Sequence, residues 1–347
     1  MSGISPKGRD GVEWAATIWR PKAEHLLDPH KTYQIIAYPA QEALAKRLQE
    51  SNPMRFAYHV TSWGKFKDGT DNIDVGGFFP VNLIRGSNVI FLCSFHNNDA
   101  MLSQFHVLNM LCEAFVESIT VMLLYYPTGH DTDNTSGQHE GVVATSNTLA
   151  RLFSNLPRVG KPVRIMTYDI HTLQSRFYLS GAALATLHTA VPLLIRALQN
   201  QSKINCLAFA DEGASKRFKG LFEPAFPDWP VVICGKVRDV TTKSVSVDVL
   251  DGKPKGMHCI IIDDMVLTGG TLIEAASAIK KVGGASVSAF VSHAIFHEGW
   301  DRFLKANGGP LEKLFTTNSN PTVTDMLPKD DCFEVFDLMD VIVQDLE

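Results

Sequence analysis

The chain has 347 residues, of which 20% are charged and 45% hydrophobic, and its formal net charge is −5. This length is enough for two domains with a core each. The slightly acidic balance excludes a dominant basic surface, so no nucleic-acid partner is expected. No apolar segment approaches the roughly 20 residues that a membrane span needs, and the first residues lack the apolar core of a secretory signal. We therefore expect a cytoplasmic protein with no membrane partner.

The cysteines indicate a reducing environment. All six lie within or beside apolar runs, and no Cys-x-x-Cys pair occurs. This spacing favours buried, reduced thiols over disulfides or metal ligands.

Strand-like and helix-like segments alternate along most of the chain. Residues 1–30 show little periodicity and are predicted to be an N-terminal extension. After them come the apolar runs YQIIAY, NVIFLCSF and ITVMLLYY, and later VRIMTYDI, INCLAFAD, VVICGKVRD, CIIIDDM and SVSAFVSHAIF. Segments with helical spacing of apolar residues follow most of these runs. The pattern predicts an α/β protein with mainly parallel sheets that are covered by helices on both faces.

The domain boundary is predicted near the VGKP segment at 159–162. Glycine and proline punctuate the chain there, and the pattern of strands and helices then restarts. This predicts one domain at 31–160 and a second, similar in layout, at 161–335, with a final helix at 336–347. In such sheets ligands bind beyond the carboxyl ends of the strands, and the acidic residues of this chain cluster at those ends.

The stretch CIIIDDMVLTGGTL combines an acid pair with a glycine turn. Asp263 and Asp264 end an apolar run, and the turn that follows consists of Thr268, Gly269, Gly270 and Thr271. Amides at a helix start can bind phosphate, whereas carboxylates repel it. A sugar phosphate satisfies both, because its ring hydroxyls donate to carboxylates while its phosphate lies in the turn. The alternative is a strand-end acid pair followed by an ordinary glycine turn.

This arrangement resembles the phosphoribosyl diphosphate loop of type I phosphoribosyltransferases and of ribose-phosphate diphosphokinases. The stretch YDIHTLQSRFY also resembles the diphosphokinases, in which the histidine and a later acid flank the Mg²⁺-nucleotide. That resemblance assigns a metal role to His171, Asp169 and Asp211. The alternatives are a buried histidine in the core and, for Asp211, a helix N-cap.

The stretch VVICGKVRD contains two basic residues, two positions apart, where a predicted hairpin begins. Lys236 and Arg238 fall on one face of this ribbon. Phosphoryl transfer requires positive charge that neutralises the transferring phosphates. A flexible loop of the diphosphokinases supplies a Lys and an Arg in the same pattern, so the resemblance implies a catalytic role for both residues. Taken alone, the pattern is more typical of solvated surface charges.

The turn in WGKFKDGTDN resembles a nucleotide-base loop of the diphosphokinases. In the diphosphokinases, that loop contributes to the nucleotide site of a neighbouring subunit. The resemblance therefore implies nucleotide contacts for Phe66 and Asp68 and a homo-oligomer. An aromatic face can stack on adenine. The alternative is a plain hairpin turn with a core phenylalanine.

The resemblance extends from Tyr33 to the end of the chain and is greatest to the plant-type branch of the family. It implies two phosphoribosyltransferase-like domains, with the last helix returning to the first. It also implies ribose-phosphate diphosphokinase activity, in which ATP or another diphosphoryl donor, ribose 5-phosphate and Mg²⁺ meet.

One stretch departs from the family pattern. The segment YYPTGHDTDNTSGQHEG contains no arginine, where bacterial and animal members carry an Arg-Gln pair for the triphosphate. No role is assigned to its His130–Glu140 part. Two alternatives therefore stay open: a type I phosphoribosyltransferase, and a non-catalytic paralogue that regulates an active synthase.

Overall fold

The computed structural model describes residues 31–127, 143–157, 160–238, 245–329 and 331–346. The predicted extension at 1–30 and the His130–Glu140 segment lie outside these residues. The chain forms two compact units. The first contains Pro29–Thr189, Asn318–Met326 and Asp337–Glu347, and the second contains Ala190–Thr317 and Leu327–Phe336.

The first unit is built on a six-stranded sheet with parallel neighbours. In chain order, the strands of this unit are β1 (Tyr33–Ala37), β2 (Phe56–Tyr58), β3 (Ser62–Lys65), β4 (Asp71–Asp74), β5 (Asn88–Cys93), β6 (Ser118–Leu123), β7 (Val163–Tyr168) and β8 (Ala183–His188). The sheet has the order β2-β1-β5-β6-β7-β8, while β3 and β4 form a separate antiparallel hairpin. Helices α1 (Glu42–Ser51), α2 (Asn98–Glu113) and α3 (Thr145–Ser154) connect these strands.

The central strands of this sheet are covered on both faces. Every residue of β5 and of β6 except the first is buried, as expected for near-continuous apolar runs in a parallel sheet. Helix α2 begins where Asn97 accepts a hydrogen bond from the Ala100 amide, which satisfies one of the free amides of the first turn. Sequence pattern and local capping therefore agree on this βα unit.

The second unit is built on a seven-stranded sheet. Its strands are β9 (Cys206–Phe209), β10 (Val231–Arg238), β11 (Val245–Asp251), β12 (His258–Val266), β13 (Ser286–Ala294), β14 (Leu314–Thr317) and β15 (Phe333–Phe336), and its helices are α4 (Val191–Gln199), α5 (Glu212–Phe222) and α6 (Gly270–Lys281). The order is β11-β10-β9-β12-β13-β14-β15. Strands β10 and β11 pair antiparallel, and the other neighbours pair parallel. The prediction of an α/β fold with mainly parallel sheets flanked by helices is confirmed.

The division between the units lies later in the chain than the sequence indicated. Strands β7 and β8 follow the Gly160–Pro162 loop, yet both belong to the first sheet, where Val121 of β6 pairs with Ile165 of β7. The first unit consequently continues to Thr189 instead of ending at 160. Glycine and proline mark a loop between α3 and β7, and such loops occur within domains as well as between them.

The last residues of the chain belong to the first unit. Helices α7 (Pro321–Thr324) and α8 (Met339–Asp345) both lie in it. Arg164 of β7 donates hydrogen bonds to the carbonyls of Asp345 at 2.8 Å and of Leu346 at 3.2 Å. The Tyr168 hydroxyl donates to the Asp345 carboxylate at 2.8 Å. The two bonds from Arg164 satisfy carbonyls that the end of a helix leaves without an internal partner.

Two further features concern the chain as a whole. Among the described residues, no helix combines the length and the apolar character needed to cross a bilayer. All six cysteines are buried and none forms a disulfide. Five of them lie within strands or helices, and Cys332 lies in the turn directly before β15.

Candidate active site

The acid pair lies at the carboxyl end of a central strand of the second unit. Strand β12 runs between β9 and β13, with Ile262 paired to Phe209 and Asp263 paired to Val291. Asp211 follows the end of β9 by two residues. Because parallel strands end at the same edge, this edge carries three carboxylates within the unit.

The two adjacent aspartates have different surroundings. The Asp264 side chain is only 6% exposed and accepts a hydrogen bond from Arg217 of α5, with 3.1 Å between Nη1 and Oδ2. The amide of Asp264 donates to the Asp263 carboxylate at 2.9 Å. Burial raises the pKa of Asp263 well above its ordinary range, and the negative charges of Asp264 and Asp211 raise it further. Asp264 therefore has its charge balanced by a guanidinium, whereas the ionised form of Asp263 is disfavoured.

Asp211 caps helix α5. Its side chain accepts a hydrogen bond from the Ala214 amide at 2.8 Å. This is the structural alternative that its sequence position left open, and it fixes the carboxylate at the edge of the sheet. Its negative charge also contributes to the raised pKa of Asp263, after burial and the charge of Asp264.

The glycine turn forms the start of helix α6, directly after β12. Gly269 is the N-cap and has φ 79°, a left-handed conformation that favours glycine. The Gly270 amide lies 3.4 Å from the Thr268 hydroxyl, and Thr268 and Thr271 are both exposed. Amides at a helix start, together with the helix dipole and two hydroxyls, give this turn the chemistry of an anion site. We call Thr268–Thr271 the phosphate loop from here on.

Lys236 lies beyond the same edge of the second sheet. Strand β10 pairs with β9 up to Ile233 and Phe209, so its remaining residues extend past the end of β9. In this extension Lys236 is exposed and pairs with Val247 of β11, while Arg238 pairs with Val245. The side chain of Arg238 lies outside the described part of the structure. The ribbon therefore places at least one cation at the edge that carries the carboxylates.

Asp169 and His171 belong to the first unit and not to the second. They follow β7, and Asp169 is 4% exposed with φ 36°, a left-handed conformation that is uncommon outside glycine. Its amide donates to the His188 carbonyl at 2.9 Å. His171 is half-buried. The structure thus groups Asp211 with the acid pair and the phosphate loop, and it places Asp169 and His171 on a different sheet.

Phe66 and Asp68 lie in the turn between β3 and β4. Phe66 is 55% exposed, so it is not the core residue of the alternative interpretation. The Asp68 carboxylate accepts hydrogen bonds from the Thr70 hydroxyl at 2.6 Å and the Thr70 amide at 3.0 Å. These bonds lower the pKa of Asp68. Asp68 therefore stabilises the turn and Phe66 projects from it.

Two residues at the second-unit site were not singled out from the sequence. Arg217 contacts Asp264, and Arg302 donates from Nη1 to the Thr268 carbonyl at 3.0 Å. A helical position six residues after an N-cap could have drawn attention to Arg217. The contact of Arg302 spans 34 residues of sequence, and no local pattern signals it.

Comparison with known proteins places this site in a family context. Residues 186–301, which include the acid pair and the phosphate loop, match the family model described as "Phosphoribosyl transferase domain". A solved structure of phosphoribosylpyrophosphate synthetase from Mycobacterium smegmatis is similar with a TM-score of 0.72 and 20% identity, over 91% of this chain and 98% of that one. The matched residues therefore form a domain of the phosphoribosyltransferase type.

Proteins of similar sequence identify the family within this class. Ribose-phosphate pyrophosphokinase 3, chloroplastic, from Oryza sativa subsp. japonica is 33% identical over 97% of this chain and 82% of its own length. Ribose-phosphate pyrophosphokinase 4 from Arabidopsis thaliana is 36% identical over 83% of this chain and 86% of its own length. The chain therefore belongs to the ribose-phosphate pyrophosphokinase family, another name for the diphosphokinases. This confirms the resemblance to the family and to its plant-type members.

Proposed function

We propose that the protein is a ribose-phosphate diphosphokinase. It transfers the diphosphoryl group of Mg-ATP to O1 of ribose 5-phosphate and yields phosphoribosyl diphosphate and AMP, which feeds nucleotide synthesis. The main support is that the chain belongs to this family and that one of its units carries both an acid pair at a strand end and a phosphate loop. The reaction forms a bond between O1 and the β-phosphorus, breaks the bond between that phosphorus and the oxygen of the α-phosphate, and releases the proton of the anomeric hydroxyl.

The second unit supplies the proposed sugar site. Amides and hydroxyls of the phosphate loop donate to the 5-phosphate, while the Asp263 and Asp264 carboxylates accept from ring hydroxyls. The ion pair between Arg217 and Asp264 holds one of these carboxylates in place. The raised pKa of Asp263 favours occupation of this edge by hydroxyl donors or by a cation, because either stabilises the ionised carboxylate.

Lys236 and Arg238 are proposed to neutralise the transferring phosphates. Lys236 is exposed on a ribbon that extends past the end of β9, which leaves its ammonium group free to approach a ligand at this edge. Arg238 is included because the two residues alternate in the sequence in the same pattern as the Lys and Arg of the family's loop. In phosphoryl transfer, the protein contributes mainly by positioning the reacting groups and by neutralising charge on the transferring phosphates, and positive charge at this position does the latter.

The carboxylates also suit Mg²⁺. In the described residues no group of three or more His, Cys, Asp or Glu side chains is close enough to hold an ion. Mg²⁺ is, however, commonly bound by one or two carboxylates together with substrate phosphates, and the crowding of Asp263 with Asp211 is the kind of repulsion that a cation relieves. We propose Asp211 as a residue of the second unit that holds the Mg-nucleotide. Asp169 and His171, which belong to the first unit, are proposed as metal-binding residues on the family resemblance alone. When bound, Mg²⁺ neutralises charge on the phosphates.

Phe66 is proposed to stack on the adenine of ATP in a neighbouring subunit. Its exposed ring stands on a turn that Asp68 and Thr70 stabilise, so we assign Asp68 an indirect role through the shape of the turn. A homo-oligomer is then required for activity. Gel filtration of an active sample tests this, since activity in a monomer fraction contradicts it.

We propose a cytoplasmic location for the protein, with no membrane or nucleic-acid partner. Two of the relatives carry the words chloroplastic and mitochondrial in their names. Fractionation of cells that express the full chain with a tag tests the proposal, and recovery in an organelle contradicts it.

Release of AMP from ATP, measured with and without ribose 5-phosphate, is the decisive experiment. We expect AMP formation that depends on ribose 5-phosphate and Mg²⁺. No AMP with any of several nucleotide donors contradicts the proposal and supports a non-catalytic paralogue. Consumption of phosphoribosyl diphosphate with a free base and without ATP supports a type I phosphoribosyltransferase instead.

A further inference from the structure

The first peptide of the phosphate loop is held from outside the loop. Arg302 lies in a short 3₁₀ helix, Asp301–Phe303, and its Nη1 donates to the carbonyl of Thr268 at 3.0 Å. The guanidinium also contacts Glu298, with 3.4 Å between Nη2 and Oε2. A charged donor on a backbone carbonyl is a strong, directional contact.

Phe303, the next residue, supports the same peptide. Its side chain is fully buried, and its ring lies directly against Gly269. A Cβ atom on Gly269 would stand 2.2 Å from the ring, which is closer than atoms can approach. The loop and the 3₁₀ helix therefore meet through two adjacent contacts, one polar and one apolar.

These contacts fix the direction of an amide. The peptide bond is planar, so the Thr268 carbonyl and the Gly269 amide point in opposite directions from one rigid unit. A guanidinium that holds the carbonyl on one side consequently holds the N–H toward the other side. Because anion binding at a helix start depends on such preset amides, rotation of this peptide removes a donor from the ligand.

We infer that Arg302 is a positioning residue of the phosphate loop, which it orients through the Thr268 carbonyl while Phe303 supports Gly269 from behind. That the ligand is the phosphate of ribose 5-phosphate rests on the proposed function. The contact with Glu298 gives the opposing interpretation, in which Arg302 takes part in an ordinary surface ion pair only.

Variants of Arg302 test the inference, because loss of a positioning contact should raise the KM for ribose 5-phosphate and leave kcat almost unchanged. In Arg302→Met we expect the KM for ribose 5-phosphate to rise about tenfold, the effect of one charge-assisted hydrogen bond. The kcat and the KM for ATP should stay within about twofold. Arg302→Lys, which keeps a charged donor, should recover part of the loss, while Arg302→Gln should recover less. Glu298→Gln removes the ion pair but keeps the loop contact, and it should match the wild type.

Binding measurements separate this inference from the proposed function. Calorimetry with ribose 5-phosphate, and with inorganic phosphate as a simpler probe, should show weaker binding to Arg302→Met while its Tm without ligand changes by only about 2 °C. Equal binding by wild type and Arg302→Met overturns the inference, as does a Glu298→Gln variant with the same loss. Wild type that binds ribose 5-phosphate without turnover contradicts the proposed function alone. Wild type that binds neither ligand overturns both.

Discussion

At the scale of single residues, the acid pair of β12 shows how neighbours in sequence acquire different chemistry. Arg217 balances the charge of Asp264, whereas burial and the charge of Asp264 raise the pKa of Asp263. The two identical residues therefore differ in their chemistry. Asp264 is ion-paired within the protein, whereas the ionised form of Asp263 needs a bound ligand to stabilise it.

The raised pKa of Asp263 predicts a pH dependence of stability. Its folded-state pKa exceeds its unfolded value, so the folded state holds the proton more tightly and stability falls as the pH rises through the folded pKa. Asp263→Asn cannot lose this proton. Without Mg²⁺ and substrate, its stability relative to wild type should therefore increase between about pH 5 and pH 8 in urea unfolding.

Asp331→Asn is the control, because hydrogen bonds from backbone amides lower the pKa of Asp331. Its contribution to stability is lost only as the pH falls below the ordinary aspartate pKa of about 3.9. Asp331→Asn should therefore differ from wild type by a constant amount between about pH 5 and pH 8. A constant difference between Asp263→Asn and wild type across the pH range contradicts the assignment.

Gly269 and Gly308 offer a matched pair of substitutions. Both have φ near +75° to +79°, but a Cβ on Gly269 would meet the Phe303 ring at 2.2 Å, whereas one on Gly308 would meet nothing within 4 Å. Gly308→Ala should cost about 1–2 kcal/mol of unfolding free energy from the left-handed backbone alone. Gly269→Ala should cost more in urea unfolding and weaken ribose 5-phosphate binding. Similar results for both would show that the Phe303 contact adjusts freely.

At the scale of elements, the β10–β11 ribbon carries cations to the edge of the second sheet. The strands approach closely at Gly235, where a Cβ would stand 2.4 Å from the Leu250 side chain. Glycine at this position lets Leu250 pack against the backbone of β10. Lys236 follows directly after this contact, in which Leu250 remains 52% exposed.

Lys236→Ala should lower kcat by about 100-fold or more and leave the fold intact, because the ammonium stabilises charge mainly in the transition state. Steady-state AMP release and circular dichroism would measure the two effects. Lys219→Ala on α5, an exposed lysine with a 3.8 Å contact to Glu223, is the control and should retain full activity. An unchanged rate in Lys236→Ala removes this residue from the mechanism.

At the scale of the whole molecule, the chain completes its first unit with its last residues. Val341 and Ile342 of α8 are buried, and Arg164 and Tyr168 bind Asp345. The first unit is therefore assembled from segments that lie at both ends of the described chain, and it requires the C-terminal helix for its core.

Deletion of residues 337–347 should destabilise the first unit by on the order of 5 kcal/mol, from lost apolar burial and from hydrogen bonds to β7. Hydrogen exchange of peptides from β7 and β8 should then become much faster, with smaller changes in β12 and β13. Asp345→Ala should show a weaker form of the same pattern. Unchanged exchange in β7 would mean that α8 contributes little to the sheet.

Much of this fold follows from local sequence patterns. The runs that become β1, β5, β6, β9, β12 and β13 are mostly apolar, and a buried parallel strand leaves that signal. The short strands β8, β14 and β15 carry weaker patterns and were not predicted. The domain boundary was placed too early because each βα unit repeats the same glycine and proline signals.

The sequence by itself determined the α/β class, the acid pair with its phosphate loop, and the family, because these depend on contiguous residues whose chemistry is local. The tertiary structure decided which sheet β7 joins, that Arg217 balances Asp264, and that Arg302 and Phe303 hold the loop. Such contacts join residues far apart in the chain, and their free energy depends on distance and burial in space, which no local pattern encodes.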